Sequence, residues 1–105
     1  MSKVFGLLGL AKRAGKVVCG ESNVKNAIRF EKVQLVIIAE DASKNTSKSI
    51  TDSCKYYGVP YYLYSTKNEL GHAIGHEFHA CVAVSDPGFS ESIEKHLQAN
   101  INGGE

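Results

Sequence analysis

Residues 34–43 read Gln-Leu-Val-Ile-Ile-Ala-Glu-Asp-Ala-Ser, an apolar run from Leu35 to Ala39 that ends in two carboxylates. The β-branched residues of this run favour a strand, and the lack of alternation with polar residues indicates that both of its faces are covered. We therefore predict the central strand of a sheet. In open α/β sheets the functional loops follow the carboxyl ends of strands, so a site is expected just beyond Ala39.

Helical and strand-like patterns alternate on both sides of this strand. Apolar residues at helical spacing, with capping residues before them and glycine or proline after them, predict five helices. They cover about residues 2–14, 21–30, 43–57, 66–74 and 86–99, and further strands are predicted at 17–19, 61–64 and 80–84. The alternation predicts an α/β fold, a three-layer α/β/α sandwich around a mostly parallel four-stranded sheet. Residues 100–105 are expected to fray.

The composition is that of one globular domain covering residues 1–105. Hydrophobic residues make up 43% and charged residues 22% of the 105, which excludes a mainly disordered chain. The apolar stretches are too short to cross a membrane, and residues 4–10 do not resemble a secretory signal, so we expect a cytoplasmic protein. Cys19, Cys54 and Cys81 are widely spaced, which predicts buried thiols instead of a disulfide framework.

Charge is unevenly distributed along the chain. Residues 1–58 contain ten Lys or Arg against five Asp or Glu, whereas residues 59–105 contain two against six. This asymmetry favours an anionic partner for the first half, although a solvated basic face would produce the same pattern.

Neither a metal site nor a catalytic site is complete in the sequence. His72, His76, His79 and Cys81 are close in the chain, but they do not close a tetrahedral set, and we predict no bound metal. The Glu40-Asp41 pair has no partner groups, and the common nucleotide-binding and nucleophile motifs are missing. We therefore predict that the protein is not an enzyme; an acidic strand end more often caps a helix or forms an ion pair.

The start of the second predicted helix is more suggestive. Residues 20–26 read Gly-Glu-Ser-Asn-Val-Lys-Asn, and a helix amino terminus offers unpaired amide donors and positive potential to phosphates or base edges. Basic residues lie before it and within it, at Lys12, Arg13, Lys16, Lys25 and Arg29. This could be an RNA-facing edge, or an ordinary capped helix with a solvated basic face.

Five segments, in this order, resemble the kink-turn RNA-binding ribosomal protein family, that of ribosomal proteins L7Ae and L30e. They are Ala-Gly-Lys-Val-Val-Cys-Gly at 14–20, Lys-Asn-Ala-Ile at 25–28, Leu-Val-Ile-Ile-Ala-Glu-Asp at 35–41, Gly-Val-Pro at 58–60 and Glu-Leu-Gly-His-Ala-Ile-Gly at 69–75. The resemblance spans residue 4 to about residue 89 and is strongest to short bacterial members. It implies an α/β/α sandwich that binds a sharply bent RNA internal loop, has no cofactor and associates with the ribosome.

The resemblance also implies two contact regions. The family's helix after the matching glycine carries Asn, Glu and Lys that read sheared G·A pairs, and these positions fall on Ser22, Asn23 and Asn26. None is identical, so two charged contacts are missing. A second contact, a loop that packs on an extruded base, falls on residues 76–79, where Phe78 could stack on a base or cap the core.

The sequence therefore predicts an RNA-binding site with two walls and flanking cations. One wall is Gly20, Glu21, Ser22, Asn23 and Asn26, the other is Glu77 and Phe78, and the phosphates would be held by Lys16, Lys25, Arg29 and Lys44. The alternative is a protein-interaction module of the same fold with weak or no RNA binding.

Overall fold

The computed structural model describes residues 2–101, and side chains as far as residue 99. It contains the predicted elements in the predicted order: α1 Lys3–Arg13, β1 Val17–Cys19, α2 Glu21–Arg29, β2 Leu35–Ile38, α3 Lys44–Tyr57, β3 Tyr61–Leu63, α4 Lys67–Ala73, β4 Cys81–Val84 and α5 Pro87–Ile101. Residues 100 and 101 are helical, so the prediction of a frayed end is wrong there, and residues 102–105 lie outside the described part.

The sheet is mixed, and the prediction of a mostly parallel sheet is wrong. Its strand order is β1-β4-β2-β3, and only β2 and β3 are parallel. β4 lies between β1 and β2 and runs antiparallel to both. Ile38 at the end of β2 is paired with Leu63 at the end of β3 and with Cys81 at the start of β4. The chain leaves β3 at one edge of the sheet and, after the segment that contains α4, enters β4 at the same edge. β4 therefore runs in the opposite direction to β3.

Two apolar clusters cover the two faces of the sheet, as expected for a three-layer sandwich. Leu35 and Ile37 pack with residues of α1, α4 and α5, whereas Val36 and Ile38 pack with residues of α2 and α3. All four β2 residues are fully buried, which confirms the prediction of a strand covered on both faces.

Polar side chains cap the starts of α3, α4 and α5. Ser43 accepts a hydrogen bond from the Thr46 amide at the start of α3, and Thr66 accepts one from the Glu69 amide at the start of α4. The Phe89 amide donates to the Asp86 carboxylate at the start of α5. These bonds satisfy amides that have no partner within the helix. None of the helices described is both long enough and apolar enough to span a membrane.

The strand register places three chain segments at one edge of the sheet. Cys19 at the end of β1 is paired with Val82, and Ile38 at the end of β2 is paired with Cys81. The start of α2, the start of α3 and the loop before β4 therefore meet there. We call this region, residues 20–23, 43–46 and 76–79, the loop edge.

Candidate nucleic-acid interface

Hydrogen bonds join the starts of α2 and α3 at the loop edge. The Ser43 hydroxyl donates to Thr46 Oγ1 at 3.0 Å, and Thr46 Oγ1 donates to Glu21 Oε1 at 2.9 Å. These two hydrogen bonds end on the Glu21 carboxylate and orient that side chain. Glu21 is therefore engaged in holding the two helices together, and its charge also suits the positive end of α2.

The first turn of α2 is left open for a ligand. Gly20 is the capping residue, with φ 92° and ψ 140°, a conformation that side-chain-bearing residues rarely adopt, and among the residues described no side chain caps this helix. The first amides of a helix have no partner within it, and their dipoles favour an anion. The nine-residue α2 therefore presents unpaired donors at the loop edge.

The RNA-contact residues predicted on α2 differ in where their side chains lie. Asn23 Nδ2 donates to the Cys19 carbonyl oxygen at 3.2 Å, so this side chain turns back onto β1. Ser22, Lys25 and Asn26 are exposed, and Ser22 and Asn26 are four residues apart on one face of the helix. Ser22, Lys25 and Asn26 thus form the outward face next to the loop edge.

Two of the predicted cations lie away from the loop edge. Arg29 ends α2, about 12 Å along the axis from its start, and its guanidinium lies 5.6 Å from the Phe30 ring centroid. Lys16 precedes β1, so it lies at the opposite end of that strand from Gly20. Lys44, in contrast, is exposed in the first turn of α3 and belongs to the loop edge.

The loop of residues 76–79 is packed against α4. The amide of His76 donates to the Gly71 carbonyl at 2.8 Å, and the amide of His79 donates to the Lys67 carbonyl at 3.1 Å. The side chains of Glu77 and Phe78 are exposed; 58% of Phe78 is accessible, and it belongs to neither core cluster. The structure therefore does not use Phe78 to cap the core, and the ring is free to stack on a base.

Two imidazoles and one thiol lie close together beside the loop edge. His79 Nε2 and His76 Nδ1 are 3.0 Å apart, and the Cys19 sulfur joins them in a group whose ligand atoms all lie within 4.8 Å of one another. Burial lowers the pKa of His79, and the positive charges of His76 and Lys12 lower it further. Lys12, near the end of α1, is thus a cation of this region in addition to those predicted as phosphate contacts.

The set of potential metal ligands considered in the sequence analysis, His72, His76, His79 and Cys81, does not come together in the structure. Cys54 and Cys81 are buried in the core, as predicted, and burial raises their pKa values to about 11 and about 12. Cys19 is only half-buried, so the prediction of a buried thiol is wrong for it. His72 lies on α4, where it lines an open cavity of about 890 Å³ with Phe5.

Of the acidic pair at the end of β2, Asp41 has a structural role. Asp41 Oδ1 accepts a hydrogen bond of 2.8 Å from the Lys67 amide at the start of α4. Glu40 is exposed, and its own amide donates to the Ser65 carbonyl. Asp41 therefore caps the start of α4, in agreement with the interpretation of an acidic strand end as a helix cap.

Sequence spacing did not identify Thr46 or Cys19 as residues of the site, because their partners lie on other elements.

Comparison with known proteins identifies relatives along most of the chain. Residues 2–94 match the sequence profile of the Ribosomal protein L7Ae/L30e/S12e/Gadd45 family. The RNA-binding protein YlxQ of Bacillus subtilis (strain 168) is 49% identical over 89 residues, which are 85% of this chain and 89% of the relative.

Two solved structures have the same fold. A Bacillus halodurans protein is 35% identical with a TM-score of 0.91, over 93% of this chain and 99% of its own. The Giardia lamblia 15.5kD RNA binding protein has a TM-score of 0.80 at 19% identity, over 97% of this chain and 87% of its own, which shows likeness of fold alone.

Proposed function

The chain belongs to the Ribosomal protein L7Ae/L30e/S12e/Gadd45 family, and from this premise we propose that it binds RNA at the loop edge. The proposed ligand is a kink-turn or a similarly bent internal loop, in a ribosomal or other structured RNA. The observation that carries the proposal is the convergence of an uncapped helix start and an exposed aromatic loop on one edge of the sheet. The similarity to the RNA-binding protein YlxQ of Bacillus subtilis supports RNA as the partner.

The two walls would contact different parts of a bent RNA. The amides at the start of α2 suit a phosphate or a base edge, because they need no side chain to donate. Phe78 suits a base that has left the stack, because an exposed ring can stack on any base. A straight duplex offers no unstacked base and no sharp turn, so this arrangement selects by shape.

Cations at the loop edge or next to it would supply the phosphate contacts. Lys12, Lys25 and Lys44 lie on α1, α2 and α3, and the nearby carboxylate of Glu21 is held by Thr46. Asn23 and Asn26 are neutral where charged contacts are expected from the family, so we propose a moderate affinity. Lys16 and Arg29 would contact only an RNA that extends beyond the loop edge.

The test is a titration of the full chain with a kink-turn RNA and with a straight duplex of equal length and charge. We expect the kink-turn to bind at least about 10-fold more tightly at a fixed salt concentration near 0.15 M, with both affinities falling as salt rises. Equal affinities and equal salt slopes would show only nonspecific attraction. No binding to either RNA would favour the alternative, a protein-interaction module.

A single substitution tests whether the outward face of α2 contacts phosphate. Asn26→Lys is expected to tighten kink-turn binding by about 1 kcal/mol, since it adds one charge-assisted contact at an exposed position. The slope of log affinity against log salt should steepen by about 0.7 to 0.9, the value for one added phosphate contact. Asn26→Gln is the matched control, because it lengthens the side chain without charge. A lysine variant that behaves like the glutamine variant would place this face away from the RNA.

A further inference from the structure

Three potential metal ligands converge at the loop edge from two distant parts of the chain. Cys19 is the last residue of β1, and His76 and His79 lie in the loop before β4. His76 Nδ1 and His79 Nε2 are 3.0 Å apart, and the Cys19 sulfur and one ring nitrogen of each histidine all lie within 4.8 Å of one another. The pairing of Cys19 with Val82, three residues after His79, fixes this proximity through the sheet.

These separations are close to those of a real metal centre. A tetrahedral zinc ion bound at about 2.0–2.1 Å from nitrogen and about 2.3 Å from sulfur places its ligand atoms about 3.3–3.7 Å apart. The two imidazole nitrogens would have to separate by a few tenths of an ångström, and the sulfur would have to approach by about 1 Å at most. Side-chain rotations of this size require no change in the sheet.

We propose that Cys19, His76 and His79 form a binding site for a Zn²⁺-class divalent cation. One thiolate and two imidazoles match the ligands that Zn²⁺ prefers, whereas Mg²⁺ and Ca²⁺ prefer oxygen. With three protein ligands, the fourth position is left to water. The inference does not depend on RNA binding. It reverses the prediction of no bound metal, which was made from the sequence, where Cys19 lies far from the histidines.

A hydrogen bond joins the two imidazole rings. One of the two facing ring nitrogens carries a proton and donates the hydrogen bond, and the other nitrogen accepts that bond through its lone pair. On metal binding that ring keeps its proton on its other nitrogen, so both facing nitrogens bind the metal through lone pairs. The Cys19 thiol binds as thiolate, and its proton passes to solvent. Binding should therefore release about one proton for each ion bound.

Metal binding would also tie the end of β1 to the loop that carries Phe78. The loop is already fixed to α4 by the amides of His76 and His79, so the ion would add a link on its other side. A ligand that binds only the folded state stabilises it according to its concentration relative to its dissociation constant. At 100-fold excess over that constant, we expect the melting temperature to rise by roughly 10 to 20 °C for a domain of this size.

The experiment is equilibrium dialysis of the tag-free full chain against Zn²⁺, followed by elemental analysis and washing. Substitution with Co²⁺ adds a spectroscopic test, since a tetrahedral thiolate site gives visible ligand-field bands and a near-ultraviolet sulfur-to-metal band. We expect about one retained ion per chain, both sets of bands, and a micromolar or tighter dissociation constant.

Variants separate this site from adventitious binding. His76→Ala and Cys19→Ser should each weaken Zn²⁺ binding by at least about 30-fold, and Cys19→Ser should also remove the sulfur-to-metal band. His72→Ala is the matched control, because His72 is exposed on α4 and lies outside the group. Circular dichroism confirms that each variant is folded. The proposal is overturned if the wild type retains no ion, or if His72→Ala weakens binding as much as His76→Ala does.

Discussion

Replacing Gly71 with alanine is expected to displace the loop of residues 76–79 and to weaken RNA binding by more than about 10-fold. A Cβ atom on Gly71 would lie 2.3 Å from Phe78 Cα, 2.5 Å from Phe78 N and 2.8 Å from the Glu77 carbonyl carbon. All three are backbone atoms, so no side-chain rotation relieves the contact. The free energy of unfolding should fall by about 1 to 3 kcal/mol or more, the usual cost of overpacking. Alanine's better helix propensity, worth about 1 kcal/mol, offsets part of this loss.

Gly6→Ala is the matched control for this change. Gly6 also lies within a helix, α1, but apart from its chain neighbours and the nearby helix backbone, a Cβ atom there would meet no described atom within 4 Å. This variant should be as stable as the wild type or more stable by about 0.5 to 1 kcal/mol, because alanine restricts the unfolded chain. Urea denaturation and titration with the kink-turn RNA measure both effects. If Gly71→Ala matches Gly6→Ala in stability and in affinity, the close approach of Gly71 to the backbone of Phe78 does not hold the loop in place.

The elements of the fold were predictable because their signals are local. The run from Leu35 to Ala39 identified β2, and Ser43, Thr66 and Asp86 identified helix starts that the structure confirms. The direction of β4 was not predictable in this way. A strand buried on both faces has the same apolar sequence in either direction, and only the path of the chain through α4 decides which way it runs.

The site was only partly predictable, for a related reason. The resemblance placed the contacts of α2 on Ser22, Asn23 and Asn26; in the structure Ser22 and Asn26 are exposed, whereas Asn23 turns back to the Cys19 carbonyl oxygen. Spacing does not give distance from the loop edge, so it could not separate these residues from Arg29 or Lys16. Contacts between elements were also out of reach, because the bond from Thr46 to Glu21 joins residues that are far apart in the chain. The grouping of Cys19 with two histidines depends on the strand register in the same way.

Phe78→Ala is expected to weaken binding to a kink-turn RNA by about 1 to 3 kcal/mol, the usual worth of one base stacked on an aromatic ring. The ring is 58% exposed and packs in neither apolar cluster, so its removal should change the free energy of unfolding by no more than about 0.5 kcal/mol. Removing an uncharged side chain should leave the salt dependence of binding unchanged. Fluorescence titration and urea denaturation, each at the same salt concentration, measure these quantities.

Phe30→Ala is the control that separates stacking from a general loss of surface aromatic area. Phe30 is 63% exposed, similar to Phe78, but it follows the carboxyl end of α2, away from the loop edge. Its removal should leave RNA affinity within about twofold of the wild type, since surface changes outside a contact have little effect. Phe78→Tyr should keep most of the affinity, because the phenol ring also stacks. Unchanged affinity in Phe78→Ala would show that this loop does not contact the RNA. Equal losses of affinity in Phe78→Ala and Phe30→Ala would show that exposed aromatic rings contribute wherever they lie on the surface.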